Sequence, residues 1–360
     1  MVKFVTHSLL FFTFLISIFI SFQTIDLKAQ PMPYIEKLSE NFILPLDNSK
    51  MCHASTLVEL SNGDIMAAWF QGSYEGAIDV AIWGSFYHEN QWSNPQKLVI
   101  GFNRSNQIQE KSDTLACWNP VLFKTPDNII YLYYKVGKSP REWWGESISS
   151  KDDGKTWSSP TLLSPQLGPV KNKPLITSKG TWLFPTSTET LEDWNVFVER
   201  SIDKGNTWNT IPVDTTNPAK VIQPTLLQYP DGSIHALCRS NQNYILESVS
   251  RDDGKTWSPL TKTKILNPNS GIDAICKKNG VIYLVYNPME SGKEWVNGRN
   301  QLDIDISFDG QEWFDIYHLE NEKSGEFSYP AIIQTSDGLI HITYTYNRKN
   351  IKHIIFKTNF

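Results

Sequence analysis

The sequence predicts an all-β protein, a six-bladed β-propeller of four-stranded antiparallel blades. An eight-residue motif, S-x-D-x-G-x-T-W, occurs at residues 150–157, 201–208 and 250–257, and a shorter copy occupies residues 307–313. A repeat at intervals of about fifty residues is typical of a fold that uses one supersecondary unit several times. Pairs of β-rich apolar runs around Asp-Gly-like turns precede the motifs and are typical of hairpins. Each period therefore holds four strands, as a propeller blade does.

The blades can be followed in order along the chain. Trp157, Trp208, Trp257 and Trp313 mark four motifs, and Trp92 marks a degenerate copy one period earlier. Inner strands are predicted to begin at six equivalent places, residues 53–55, 119–120, 173–174, 223–224, 273–274 and 329–330. The last blade has a hairpin and a third strand but no motif. Residues 40–46 are therefore expected to supply its outer strand, which closes the ring and leaves no sheet edge exposed.

The first 29 residues predict a cleaved secretory signal peptide. Lys3 is followed by an apolar run over residues 9–22 and by Ala29, an order typical of such signals. The run is too short for a confident membrane-spanning helix, and no second run of this kind follows. We expect residues 30–360 to form a single domain, secreted or periplasmic, without a membrane span.

Composition argues against several functional classes. The net charge is −5 and basic residues form no run, so nucleic acid is not an expected partner. The four cysteines show no CxxC or Cys/His spacing, which favours buried free thiols over disulfides or a zinc site. We expect no cofactor and no metal ion, and we expect a monomer.

Each residue of the repeated motif has a structural explanation. The Asp accepts N–H bonds within its own turn, the Gly adopts a positive φ, and the Trp buries a large ring between sheets. Asp152, Asp203 and Asp252 are therefore expected to be scaffold residues and not catalytic ones. The motif resembles the Asp-box, or BNR repeat, of the sialidase-like six-bladed propellers, over essentially the whole chain after residue 29. This resemblance implies the fold, whereas the reaction depends on other residues.

Residues at the inner-strand starts of a propeller face one shared cavity. The predicted ring consists of His53, Asn119, Lys173, Gln223, Asp273 and Tyr329, to which loops add Glu75, Arg239 and Arg299. We expect Arg239 and Arg299 to clamp a substrate carboxylate, because guanidinium groups bind carboxylates through paired hydrogen bonds. Structural ion pairs with Glu247 or Asp303 are the alternative for these arginines. The other candidates for substrate binding are Asn119, Lys171, Lys173, Gln223 and Asp273.

The resemblance to sialidases implies three arginines on the substrate carboxylate, an Asp acid/base, and a Tyr nucleophile activated by a Glu. Arg239 and Arg299 match the second and third arginine by order and spacing, and Tyr329 matches the nucleophile. The stretch MCHAS replaces the first arginine and places His53 or its neighbour there. Two further departures concern the other catalytic groups.

Glu75 lies in the neighbourhood of the acid/base Asp, and Gln223 lies near the expected Glu. A tyrosine beside a neutral Gln is a poor glycosidic nucleophile, so another reaction is favoured. In a hexuronate the C5 proton lies next to the carboxylate, and arginines that neutralise the carboxylate make this proton removable. We predict that His53 and Tyr329 form the acid/base pair, either of them as the base, with Glu75 as a further catalytic candidate. A hydrogen-bonded strand-end role for His53 and a packing role for Tyr329 are the structural alternatives. β-Elimination at C4 then gives a 4,5-unsaturated uronate, as in a dehydratase or a lyase similar to propeller-fold ulvan lyases.

Two other functions stay open from the sequence. An exo-glycosidase of sialidase type would use Tyr329 as nucleophile and Glu75 as acid/base. A glycan-binding propeller would keep the cavity without the reaction. In every case the expected partner is an acidic oligosaccharide or polysaccharide. Trp143, Trp144 and Trp295 lie in loops outside the motifs and are candidate platforms for a sugar ring, with packing at the rim as the alternative.

Overall fold

Six antiparallel sheets make up this computed structural model, which describes residues 34–103, 113–214, 216, 219–294 and 296–360. Each sheet is one blade, and the described residues contain no α-helix. The predicted six-bladed propeller is therefore confirmed. None of the described segments is a helix long and apolar enough to cross a membrane. The predicted signal peptide, residues 1–29, lies outside the described residues.

The first three blades follow one another along the chain, each from its inner to its outer strand. Blade 1 consists of β2 (Met51–Glu59), β3 (Ile65–Gly72), β4 (Ala81–His88) and β6 (Gln96–Phe102), with β5 (Gln91–Trp92) beside β4 and β7 (Thr114–Leu115) beside β6. Blade 2 consists of β8 (Cys117–Lys124), β9 (Ile130–Val136), β10 (Trp144–Ser150) and β11 (Thr161–Leu162). Blade 3 consists of β12 (Leu175–Ile176), β13 (Trp182–Glu189), β14 (Trp194–Ser201) and β15 (Asn209–Pro212).

The last three blades repeat this order and close the ring. Blade 4 consists of β16 (Val221–Gln228), β17 (Ile234–Ser240), β18 (Tyr244–Ser250) and β19 (Thr261–Leu266). Blade 5 consists of β20 (Asp273–Cys276), β21 (Ile282–Tyr286), β22 (Gln301–Ser307) and β23 (Trp313–Asn321). Blade 6 consists of β24 (Phe327–Gln334), β25 (Ile340–Tyr346), β26 (Asn350–Thr358) and β1 (Ile35–Phe42).

The N-terminal strand β1 completes the last blade by pairing with β26, from Ile35 opposite Thr358 to Phe42 opposite Lys352. The predicted closure is thus confirmed, although the strand begins five residues before the expected segment 40–46. The inner strand β2 of blade 1 also packs against β24 of blade 6. Strand pairing within blade 6 and packing between blades 6 and 1 therefore close the ring.

The repeated motif forms the same hydrogen-bonded turn in its three full copies. In one copy, Asp203 accepts hydrogen bonds from the backbone and the hydroxyl of Thr207, at 2.8 and 2.7 Å. The Ser201 hydroxyl donates to Asp203 at 2.8 Å and accepts from the Gly205 amide at 2.8 Å. These bonds lower the pKa of Asp203 to about 2, the Thr207 hydroxyl contributing most. The motif aspartates are engaged within their own turns, as expected of scaffold residues.

Apolar side chains fill the spaces between neighbouring blades. On β22, Leu302, Ile304 and Ile306 alternate with polar residues and pack against strands of blade 6. This period of two is the pattern of a strand that presents one face to an apolar layer. The cysteines are free thiols, as predicted, with Cys276 half-buried and the other three buried.

A β-bulge sets the orientation of the inner strands near the axis. Ala54, Asn119, Gln223 and Tyr329 have positive φ values of 55°, 36°, 52° and 54°, and strand pairing shifts register around each. Lys171 has a φ of 73° at the corresponding place before β12. Such backbone costs about 1–3 kcal/mol at a residue other than Gly and is concentrated at functional sites. In three of these blades Pro follows the bulged residue.

Candidate active site

A cavity of about 220 Å³ opens where the bulged residues of blades 2, 4 and 6 meet. It brings together seven of the residues predicted from the sequence, namely Glu75, Asn119, Trp143, Gln223, Arg239, Arg299 and Tyr329. Four further residues line it, namely Trp118, Pro140, Glu189 and Arg348. Asn119 makes no side-chain hydrogen bond to another described residue, so its amide is available to a ligand.

The hydroxyl of Tyr329 is held by two neighbouring side chains. Arg239 Nη1 donates to it at 2.7 Å, and Gln223 Nε2 donates at 3.4 Å. Arg239 also donates to Gln223 Oε1 at 3.2 Å and, through Nε, to Asn269 Oδ1 at 2.7 Å. The guanidinium group is therefore fixed against the tyrosine oxygen. Such preorganised donors suit negative charge that develops on this oxygen during a reaction.

Two more guanidinium groups are positioned by one buried carboxylate, that of Glu326. Its Oε1 lies 3.2 Å from Arg299 Nη1, and its Oε2 lies 2.7 Å from Arg348 Nε. Burial, together with repulsion from Arg239, lowers the pKa of Arg299. Burial acts to lower the pKa of Arg348, but the interactions with Glu75 and Glu326 have a larger effect and raise it. The cavity thus presents three arginines, an arrangement suited to an anionic group of a ligand.

Arg348 was not among the residues predicted from the sequence. It follows Asn347 at the tip of the β25–β26 hairpin, and the two residues have φ values of 53° and 52°. Two consecutive residues with positive φ are typical of a tight hairpin turn. The turn places Arg348 against Glu75 of blade 1, with which it forms an ion pair. The sequence feature that could have pointed to this role is an arginine at the hairpin tip of the blade that adjoins blade 1.

The alternative ion pairs suggested for Arg239 and Arg299 do not form. Glu247 pairs with His235 at 2.7 Å, and Asp303 lies 3.0 Å from His318. Both predicted arginines instead lie at the cavity.

His53 lies behind the cavity lining, contrary to the expectation that it faces the axis. The bulge of blade 1 falls on Ala54, and His53, one residue earlier, points to another side of the strand. The residue is 1% exposed, and its Nδ1 lies 2.9 Å from the Thr345 hydroxyl. Its ring packs on Tyr329, with 4.2 Å between centroids. Burial and then the charge of Arg348 lower the pKa of His53 well below its ordinary value, so the ring is neutral.

Three of the predicted substrate-binding residues lie below the cavity and bind protein groups. Lys173 Nζ lies 2.8 Å from both carboxylate oxygens of Asp273, which also accepts from the Ile332 amide at 2.9 Å. Lys171 donates to the carbonyl oxygens of Ile272, at 2.8 Å, and Pro330. Burial lowers the pKa of Lys171 to about 7. The positive φ of blade 3 falls on Lys171 and not on Lys173, and Lys173 binds Asp273 and the Ala274 carbonyl oxygen.

The remaining candidates differ in their surroundings. Trp143 lines the cavity, Trp144 is the next residue, and Trp295 lies outside the described residues. Glu189 was not predicted from the sequence. It is a second residue with a carboxyl group, in addition to Glu75, that lines the cavity. Burial raises the pKa of Glu189, although the charges of Arg239 and Arg141 act to lower it.

The sequence is similar to two sialic acid enzymes at low identity. It is 24% identical over 275 residues to an anhydrosialidase of Macrobdella decora, covering 68% of this chain and 33% of the relative. It is also 24% identical over 250 residues to a sialidase of Bacteroides fragilis strain YCH46, covering 60% of this chain and 44% of the relative. The chain thus spans less than half the length of these relatives.

Solved structures share the fold at still lower identity. A Dyadobacter fermentans protein of unknown function superimposes with a TM-score of 0.71 at 14% identity, covering 90% of this chain and 99% of its own. The intramolecular trans-sialidase of Ruminococcus gnavus, solved with oseltamivir carboxylate, gives 0.66 at 14% identity, covering 89% and 97%. At this identity the likeness shows the fold alone.

The family comparison covers most of the propeller. The family model of the BNR repeat-like domain matches residues 63–342, from the first hairpin of blade 1 to the second strand of blade 6. This range includes the Asp-box turns and most of the cavity residues. The protein therefore belongs to the family of BNR repeat-like domain proteins.

Proposed function

We propose that this protein is an exo-acting glycosidase or intramolecular glycosyl transferase of sialidase type, which acts on a terminal carboxylated sugar. The observation that carries the proposal is the meeting of three arginines and Tyr329 in one cavity of about 220 Å³. The arginines would bind the sugar carboxylate, and a cavity of this size suits one terminal unit. The names of the relatives, a sialidase and an anhydrosialidase, support a sialoside as the first substrate class to test.

In this proposal Tyr329 is the nucleophile and Arg239 is its electrostatic partner. The 2.7 Å hydrogen bond from Arg239 holds the tyrosine oxygen at the cavity and favours negative charge on it. Gln223 lies near the place where the sialidase pattern has a carboxylate base. The proton of the tyrosine hydroxyl therefore passes to water when the oxygen bonds to the anomeric carbon.

A second candidate function is β-elimination on a uronate, and the neutral Gln223 beside Tyr329 favours it. Without a carboxylate base, Tyr329 is better suited to proton transfer at a carbon next to a neutralised carboxylate. The sequence predicted that His53 takes part in this elimination as an acid or base, and the burial of His53 counts against that role. His53 is 1% exposed and lies behind Tyr329 and Arg348, so it does not reach a ligand in the cavity.

Product analysis distinguishes these functions. The protein is incubated with 3′-sialyllactose and with oligosaccharides that end in a uronate, and the products are weighed by mass spectrometry. Hydrolysis releases a free acidic sugar, intramolecular transfer releases the same sugar less one water, and elimination gives an unsaturated uronate that absorbs in the ultraviolet. Binding without any product would contradict both catalytic proposals and leave a glycan-binding propeller. We also propose action outside the cytoplasm, on the basis of the predicted signal peptide.

A further inference from the structure

Glu189 lies where the arginine-lined cavity meets a second, larger cavity. It is the last residue of β13, and it lines both cavities together with Pro140 and Trp143. The second cavity has a volume of about 550 Å³ and is bounded by residues of blades 2 and 3. A ligand whose carboxylate is bound by the arginines can therefore extend past Glu189 into the second cavity.

The carboxyl group of Glu189 is uncommitted, whereas that of Glu75 is not. Glu189 makes no side-chain hydrogen bond or ion pair with another residue in the described part of the chain. Glu75, the acid expected from the sequence, is bound to the guanidinium of Arg348 and serves as its counter-ion. Burial raises the pKa of Glu189, so it holds a proton more strongly than an ordinary glutamic acid. A general acid needs this property and access to the substrate.

We propose that Glu189 is the proton donor to the leaving group and that the second cavity receives this group. The inference rests on the glycosidase function proposed above. The bond between the anomeric carbon and the leaving oxygen breaks, both electrons pass to the oxygen, and the Glu189 proton moves to it. The Tyr329 oxygen bonds to the anomeric carbon as its own proton passes to water. In the second step water attacks this carbon and gives a proton to Glu189, and the Tyr329 oxygen leaves and regains a proton from water.

The lining of the second cavity indicates what the leaving group is. Trp143 and Trp144 present half-buried rings, and Arg141 and Gln166 add polar groups. The Trp143 ring is fixed by an edge contact with Trp118, at 6.1 Å between centroids. Aromatic rings with a few polar groups suit a sugar, which has apolar faces and hydroxyl edges. The substrate class is therefore an oligosaccharide in which a carboxylated terminal unit is linked to at least one further sugar.

Leaving-group dependence tests the assignment. The rates of Glu189→Gln and of the unchanged protein are compared on 3′-sialyllactose, whose leaving group is a sugar alcohol, and on 4-methylumbelliferyl N-acetylneuraminic acid, whose phenol leaves without a proton. We expect kcat/KM on 3′-sialyllactose to fall by about 10²- to 10⁴-fold, the usual contribution of a general acid. On the aryl glycoside we expect a loss below about tenfold, because only the proton transfer is removed. The alkaline limb of the pH profile on 3′-sialyllactose should also disappear.

The matched control is Glu142→Gln, which changes an exposed carboxyl outside the lining of both cavities and should leave both rates unchanged. Equal losses of Glu189→Gln on both probes, or no loss, would overturn the assignment while the glycosidase function stands. An unchanged protein that releases sugar from neither probe would overturn the proposed function, and the assignment of Glu189 with it.

Discussion

Arg348 Nη2 lies 3.4 Å from His53 Nε2, although Arg348 belongs to the last blade and His53 to the first. The resemblance to sialidases implies an arginine at the start of blade 1, where this chain has His53. The β25–β26 hairpin brings a guanidinium to that place from the adjoining blade. The third positive charge of the cavity is thus retained, although a different part of the chain supplies it.

We expect Arg348→Lys to impair catalysis strongly. A lysine keeps the charge, but it lacks the fork of N–H groups with which Arg348 contacts Glu75 and Glu326. Loss of one preorganised donor typically lowers the rate by about 10²- to 10³-fold, and we expect a loss of this size in kcat/KM on 3′-sialyllactose. Arg251→Lys is the control, because Arg251 is an exposed residue paired with Asp231. Full activity in a folded Arg348→Lys variant would contradict a role of this arginine at the substrate.

Gln223→Glu distinguishes the two candidate reactions. The change places a carboxylate beside the Tyr329 hydroxyl and keeps an acceptor for Arg239, which now donates to Gln223 Oε1 at 3.2 Å. If Tyr329 is a glycosidic nucleophile, the new base takes its proton, and we expect kcat on 3′-sialyllactose to rise by about tenfold or more. Tyr329→Phe in the same background should abolish the gain. A gain that survives Tyr329→Phe would show that the tyrosine is not the nucleophile.

The predictable part of the molecule depends on local and repeated sequence. The Asp-box turns, the hairpins and the closing strand each follow from short patterns of polar and apolar residues, so six blades could be counted. The cavity depends on features with no such pattern. In blade 1 the bulge falls on Ala54 and not on His53. The bulged position is therefore shifted by one residue, and His53 lies behind the cavity lining.

Contacts between distant parts of the chain explain why other cavity residues were not predicted from the sequence. Arg348 reaches the cavity because the last blade adjoins the first, and Glu189 becomes an acid candidate only through its burial between two cavities. Neither property is visible in the neighbouring sequence. Lys173 and Asp273 were expected at the ligand because they stand at inner-strand starts, but they pair with each other across blade 4.

Asp203→Asn should lower stability at neutral pH more than in acid. The pKa of Asp203 in the folded protein is about 2, below its ordinary value of 3.8. The stabilising effect of the charged form is therefore complete above the ordinary value and is lost as the pH falls through about 2. Thermal unfolding should show a melting temperature a few degrees lower for the variant at pH 7, and a smaller difference near pH 2. Asp47→Asn, at an exposed residue, should show no difference at either pH.

Asp305→Asn should have the opposite effect and stabilise the protein in mild alkali. Asp305 lies directly opposite Asp315 on the neighbouring strand, where like charges are destabilising. Burial raises the pKa of Asp305 from 3.8 to about 6, the Tyr286 hydroxyl opposes this shift, and the charges of Asp315 and Asp303 add to it. The folded protein therefore binds the proton more tightly than the unfolded chain. The free energy of unfolding should fall as the pH rises from 3.8 to about 6.

The amide of Asp305→Asn removes the charge and keeps an oxygen that accepts from Tyr286, which now donates to Asp305 Oδ2 at 2.9 Å. Urea denaturation at pH 8 should show a gain of up to about 3 kcal/mol in the free energy of unfolding, the upper limit set by a shift of this size. At pH 4 the folded protein already carries a neutral Asp305, so the variant and the unchanged protein should agree there. A loss of stability at pH 8 would mean that the Asp305 carboxylate has a favourable partner that outweighs its repulsion by Asp315.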